Sequence, residues 1–232
     1  MRSQGHDLIA ITETCWDSSY EWNPVIDGYA FFGKDRPAMR SGGVALYVKE
    51  QLELIELCLN VDEEWVESLW IRIKEQANMG DNIVDVYYRP PGEQEEVDEA
   101  FYKQVKVVSQ SQALVLMGDF SHPDICWKDH TRHTQSRRFL QSIDDNFLTQ
   151  VVEDSMSRGV LLDLVLTNKQ RLVEDMNAGD SLGCSVCEMV ELRILCGGSR
   201  AICRMTTLDF RWPLQGGFSW VRALEGRGVQ ER

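Results

Sequence analysis

In the stretch ALVLMGDFSHPDICW (residues 113–127), four apolar residues, Leu114 to Met117, run without a break into Gly118 and Asp119. Four is too few for a helix, and no polar residue alternates with them. The run therefore reads as a strand buried on both faces and ended by the glycine. Asp119 then stands at the carboxyl end of that strand, the edge of an α/β sheet where loops carry ligand-binding groups on a rigid scaffold. Taken by itself, the segment favours a polar turn in which Asp119 bonds its own backbone.

Short apolar runs with period two surround this strand: DLIAITET (7–14), GYAFFGK (28–34), GVALYVK (43–49), LELIELC (52–58), SLWIRIK (68–74) and NIVDVYY (82–88). In SLWIRIK, Leu69, Ile71 and Ile73 share one face while Arg72 and Lys74 take the other, the pattern of a sheet with one wet face. Turn signals separate the runs at Asn23-Pro24, Asp27-Gly28, Gly42-Gly43, 78–81 and Pro90-Pro91-Gly92. Helical spacing appears twice. Val97, Phe101, Val105 and Val108 mark a helix over 95–110, with Glu95, Glu96 and Asp98 at the end where the helix dipole favours acids. Phe139, Leu140, Ile143 and Phe147 mark a second over 135–147. Further strands are predicted at LLDLVLT (161–167) and CEMVELRIL (187–195), so helices alternate with strands and pack outside sheets. Beyond Cys196 periodicity is lost. Residues 1–196 read as one domain and 197–232 as a poorly ordered linker or tail.

The chain has 232 residues, 43% of them hydrophobic, enough for a single large core. Its formal charge of −13 argues against nonspecific nucleic-acid binding through a basic surface. An enzyme that holds a divalent cation is compatible with it, because such a site needs carboxylates. No apolar run approaches the roughly 18 residues of a membrane span, and the first residues lack the pattern of a signal peptide. The expectation is an intracellular protein, nuclear or cytoplasmic, that is neither secreted nor in a membrane. Seven cysteines, an odd number scattered through strand-like runs, suit reduced thiols. Cys184 and Cys187 form a C-x-x-C followed by Cys196 and Cys203, which keeps a zinc or redox site open as an alternative, although the second spacing is too wide for a zinc knuckle.

Polar residues end several strands: Glu13 after LIAIT, Tyr87 and Tyr88 after NIVDV, and Asp119 after LVLMG; Asp163 interrupts LLDLVL. A carboxylate within a buried strand costs several kcal/mol unless it is paired, bonded or near a metal. Together with their order and spacing, ITETCWD, SGGVALYV, VYYRPPG, LMGDFS, LLDLVLTN and LGCSVCEMVELRIL resemble the endonuclease/exonuclease/phosphatase family, in particular the endonuclease domains that precede the reverse transcriptase in LINE-type non-LTR retrotransposons. The resemblance spans about residues 5–196. It implies a four-layer α/β sandwich, two mixed β-sheets flanked by helices, with an active site at one end that hydrolyses DNA phosphodiesters with Mg²⁺. It also implies a metal-holding role for Glu13, phosphate contact for Tyr87, and catalytic roles for Asp119 and Asp163.

The chain departs from the family pattern in three places. Ser121 stands where G-D-x-N has asparagine, and a hydroxyl lacks the amide's simultaneous donor and acceptor. In the terminal S-D-H motif Ser185 is kept, but Val186 and Cys187 replace the aspartate and histidine, so that pair is lost as base or phosphate clamp. The family's first strand, with its asparagine, does not fit into the few residues before DLIAITE, which is expected to leave that strand unpaired on one side and prone to aggregation. His122, His130 and His133 read as solvent-facing loop residues. The resulting expectation is a degenerate nicking endonuclease with lost or impaired activity, and the alternative is a non-enzymatic module that binds nucleic acid or protein.

Overall fold

The computed structural model describes residues 6–14, 26–34, 42–59, 65–74, 80–122, 125, 134–151, 163–179, 188–196 and 199–207. In chain order they form β1 (Leu8–Thr12), β2 (Tyr29–Lys34), β3 (Val44–Lys49), β4 (Leu54–Glu56), β5 (Ser68–Ile73), β6 (Asn82–Tyr88), α1 (Glu95–Val108), β7 (Ala113–Asp119), α2 (Thr134–Asp145), β8 (Thr149–Gln150), β9 (Asp163–Thr167), β10 (Val173–Gly179), β11 (Glu188–Cys196) and β12 (Ser199–Thr207). Two mixed sheets result, ordered β10-β11-β12-β1-β3-β2 and β4-β5-β6-β7-β9-β8.

The alternation of side chains explains how the layers stack. Leu8, Ala10, Val44, Leu46 and Val48 of the first sheet meet Leu69, Ile71, Val84, Val86, Val115 and Met117 of the second, forming the core between the sheets. The opposite face of the second sheet, with Trp70, Tyr87, Leu114 and Leu116, packs on Phe101 and Val105 of α1 and Phe139 and Ile143 of α2. β7 is thus buried on both faces, as its unbroken apolar run requires. Ile9, Ile11 and Tyr47 cover the outer face of the first sheet with Ile26 against them, and no helix lies there among the described residues. The architecture is an α/β sandwich.

Three expectations change. The face of β5 opposite Leu69 is only partly wet, because Trp70 is buried and its Nε1 donates to Gln104 of α1 at 2.9 Å. Phe147 lies beyond α2 with φ 56° and is 85% exposed, so the helical pattern ends at Ile143. Most consequential, residues 199–207 are a strand where a linker was expected. β12 pairs parallel with β1, Leu8 opposite Cys203 through Thr12 opposite Thr207, and antiparallel with β11. On its other side β1 pairs with β3. The edge predicted at DLIAITE is therefore closed, since β12 supplies the N–H and C=O partners that an open edge would lack. SRAICRMTT mixes polar and apolar residues without regular alternation, which is why it does not announce itself. The same holds for β10, whose sequence VEDMNAG also lacks regular alternation.

Candidate active site

The carboxyl ends of β1, β6 and β7 meet at one end of the sandwich. β6 and β7 run parallel with Tyr88 opposite Asp119, and β9 runs antiparallel to β7 with Asp163 opposite Asp119. Tyr88, Asp119 and Asp163 thus occupy one row across three strands. β1 comes from the facing sheet and delivers Glu13 to the same end, where the Tyr88 hydroxyl donates to Glu13 Oε1 at 2.5 Å.

Local backbone geometry sets these groups. Gly118 has φ 144°, and a Cβ there would lie 1.8 Å from the Tyr87 carbonyl oxygen, so only glycine lets β7 approach β6 just before Asp119. Glu13 has φ 55° and Ser121 φ 38°, left-handed conformations uncommon for residues other than glycine and concentrated at functional sites. Asp119 Oδ1 accepts the Ser121 N–H at 2.7 Å and its hydroxyl at 3.0 Å. The polar turn and the strand-end carboxylate are therefore the same feature: the Asx-type turn fixes the carboxylate where the strand delivers it.

Burial raises the Asp119 carboxyl above its usual range, opposed by the two bonds from Ser121 and the positive charge of Arg89. The Tyr88 phenol is raised further by burial, by its bond to Glu13 and by the Glu13 charge, so it stays protonated and serves as a donor. Next to this group Glu67 Oε2 accepts the Gly43 N–H at 2.5 Å, and Glu67 C=O accepts the Tyr88 N–H at 2.9 Å. Gly42, at φ 105°, has no room for a Cβ, which would sit 2.5 Å from Glu67 Oε2. The Gly42-Gly43 turn is thereby packed onto a buried carboxylate beside Tyr88.

A sequence model described as the Endonuclease/Exonuclease/phosphatase family matches residues 1–185. The chain belongs to the endonuclease/exonuclease/phosphatase family. Among solved structures, the endonuclease domain of TRAS1, a telomere-specific non-LTR retrotransposon, aligns with a TM-score of 0.60 and 14% identity, over 82% of this chain and 86% of that one. The 3′ phosphatase NExo (D146N) from Neisseria, bound to product DNA hairpin, aligns with a TM-score of 0.52 and 16% identity over 74% of this chain and 80% of that one. At these identities the likeness is one of fold. No match was found among curated proteins.

The family's fold brings together only some of the residues expected from sequence. Glu13, Asp119, Ser121 and the backbone of Asp163 share the end described above. Tyr87 does not. Its ring lies on the helical side of the second sheet, stacked on Phe101 with centroids 3.8 Å apart and planes at 4°. Successive residues of a strand face opposite ways, so the tyrosine at Glu13 is Tyr88, which shares its face with Val84 and Val86. The alternation in NIVDVYY carried that signal. His122 also departs from expectation: it is buried, stacked on Phe139 at 4.7 Å, with Ser136 Oγ 3.4 Å from Nδ1. Ser185, Val186, Cys187, Cys184, His130 and His133 lie outside the described residues. Among the described residues no helix is long and apolar enough to cross a membrane.

Proposed function

We propose that this chain is a retrotransposon-derived DNA endonuclease domain, ancestrally a Mg²⁺-dependent nicking phosphodiesterase, whose activity is impaired by the residues at 121, 186 and 187. The observation that carries the reading is the convergence of Glu13, Tyr88 and Asp119 at one end of the sandwich, through the bond between Tyr88 and Glu13 and the pairing of Tyr88 with Asp119.

Glu13 is half-buried and presents hard carboxylate oxygens. This donor set fits Mg²⁺, which takes one or two carboxylates and keeps several waters. Bound at Glu13, the cation would offset charge developing on the phosphate oxygens. Tyr88 holds Glu13 in place by donating its phenolic proton. Asp119, whose carboxyl burial raises above its usual range, is suited to orient a water or exchange a proton with a leaving oxygen. Asp163 is proposed to complete the same row, and Ser121 to hold Asp119 in place of the family's asparagine.

Val186 and Cys187 remove the titratable aspartate–histidine pair expected beside Ser185. Loss of a general base lowers rates by roughly 10²–10⁴. Relaxation of supercoiled plasmid DNA in Mg²⁺ tests this reading. The unaltered chain is expected to nick weakly, Val186→Asp with Cys187→His to nick faster, and addition of Ser121→Asn to raise the rate again. Strong nicking by the unaltered chain refutes the impairment. A triple variant that stays folded and inactive removes the nuclease reading in favour of a module that binds nucleic acid or protein without chemistry.

A further inference from the structure

Arg89 follows β6 directly, is 3% exposed, and joins three separate pieces of the chain. Its Nε and Nη2 donate to Oδ1 and Oδ2 of Asp98 in α1 at 2.7 and 2.9 Å. Its Nη1 donates to the Ser121 carbonyl at 3.4 Å, and its backbone N–H donates to the Asp119 carbonyl at 2.8 Å. Both ends of the Asp119–Ser121 turn are thus held by one residue. That residue is itself locked by a two-pronged pair to an equally buried carboxylate.

We propose that Arg89 is the positioning residue for Asp119: its guanidinium, fixed by Asp98, holds Ser121 in the left-handed conformation that aims the Ser121 N–H and hydroxyl at the Asp119 carboxylate. The proposal rests on the reading of Asp119 as a working group of the site. Ser121 at φ 38° is an unfavourable conformation that persists only where surrounding structure over-determines it, and the guanidinium bond to its carbonyl supplies that restraint. The guanidinium charge also counteracts the burial that raises the Asp119 carboxyl. Lysine would keep the charge and lose the fork, so geometry and charge are separable here.

A buried ion pair that only fills space is replaceable by apolar residues of similar volume without loss of stability. Arg89→Met combined with Asp98→Leu therefore separates packing from positioning. The full chain is followed by carboxyl ¹³C NMR for the Asp119 titration and by amide exchange at Ser121, neither of which depends on nicking. In the folded double variant Ser121 exchange is expected to quicken about tenfold, and the Asp119 pKa to rise with loss of the guanidinium charge and of the Ser121 bonds. Arg89→Lys is expected to quicken Ser121 exchange with a smaller shift at Asp119, and it carries the test alone where the double variant does not fold. Unchanged Ser121 exchange in the folded double variant, or in Arg89→Lys where that stands alone, overturns the proposal. The predicted shifts in a chain whose reverted forms do not nick would keep the positioning role and remove only the nuclease reading.

Discussion

Replacing Tyr88 by phenylalanine removes one oxygen atom from the centre of the site and leaves the ring in the core between the sheets. Tyr88 is 4% exposed and its hydroxyl donates to the Glu13 carboxylate at 2.5 Å. A hydrogen bond to a charged acceptor is worth about 1.5–3 kcal/mol, so Tyr88→Phe is expected to cost roughly 2 kcal/mol. For a domain of this size that lowers Tm by about 4–8 °C in a calorimetric or fluorescence melt. Because burial and the Glu13 contact keep the phenol protonated, the loss is expected to be the same at pH 6.5 and pH 9. Mg²⁺ that binds only the native chain raises Tm in proportion to the logarithm of its concentration. Without its donor Glu13 is less firmly placed, and the Mg²⁺-dependent rise should shrink in Tyr88→Phe. Tyr87→Phe keeps the stack on Phe101 and is expected to leave the rise intact. A Tyr88→Phe protein with unchanged Tm and unchanged Mg²⁺ response, or a Tyr87→Phe protein that has lost that response, would refute the assignment of Tyr88 to the site.

Two further outcomes follow from the geometry. Gly118→Ala sets a methyl group 1.8 Å from a backbone carbonyl that is itself held in the β5–β6–β7 ladder; the variant is expected to lose at least about 3 kcal/mol and most soluble yield, and a cost under 1 kcal/mol in urea unfolding would show that β7 has room to shift. Asp85 is fully buried on the helical face of β6, one oxygen accepting from Ser68 Oγ at 2.6 Å and the other without a partner, and burial pushes its carboxyl up to about 8 against the opposing Ser68 bond and the Lys34 charge. The native state then keeps a proton that the unfolded chain releases near pH 4, so stability falls as pH rises from about 4 to about 8, by up to about 1.4 kcal/mol per unit from this group. Asp85→Asn should flatten that fall in urea melts at pH 5, 6.5 and 8; an unchanged slope would mean that Asp85 ionises at its ordinary pKa.

Much of the fold was legible because burial leaves a period in the sequence. β7, packed between two apolar layers, appears as four consecutive hydrophobic residues; β5 appears as alternation, and α1 as apolar residues three and four apart. Elements without a clean period left no such trace. β12 fills the place beside β1 with the sequence SRAICRMTT, whose polar and apolar residues do not alternate cleanly. For the same reason the end of the periodic region at Cys196 marked the end of the legible sequence and not the end of the sheet.

The site was legible in its residue types and not in its orientations. Glu13 and Asp119 stand out as acids at strand ends, but the choice between two adjacent tyrosines turns on which face of β6 each occupies. That choice follows from Val84 and Val86 lying in the core between the sheets. The backbone at Glu13 and Ser121 is beyond what residue identity reveals, since neither glutamate nor serine favours φ near 40–55°. Such conformations depend on distant partners: Tyr88 for the Glu13 side chain, and Arg89 with Asp98 for the Ser121 turn. With Arg89, Asp98 and Gly118 in these contacts and the proposed impairment assigned to positions 186 and 187, reversion of those two residues is the change expected to restore nicking.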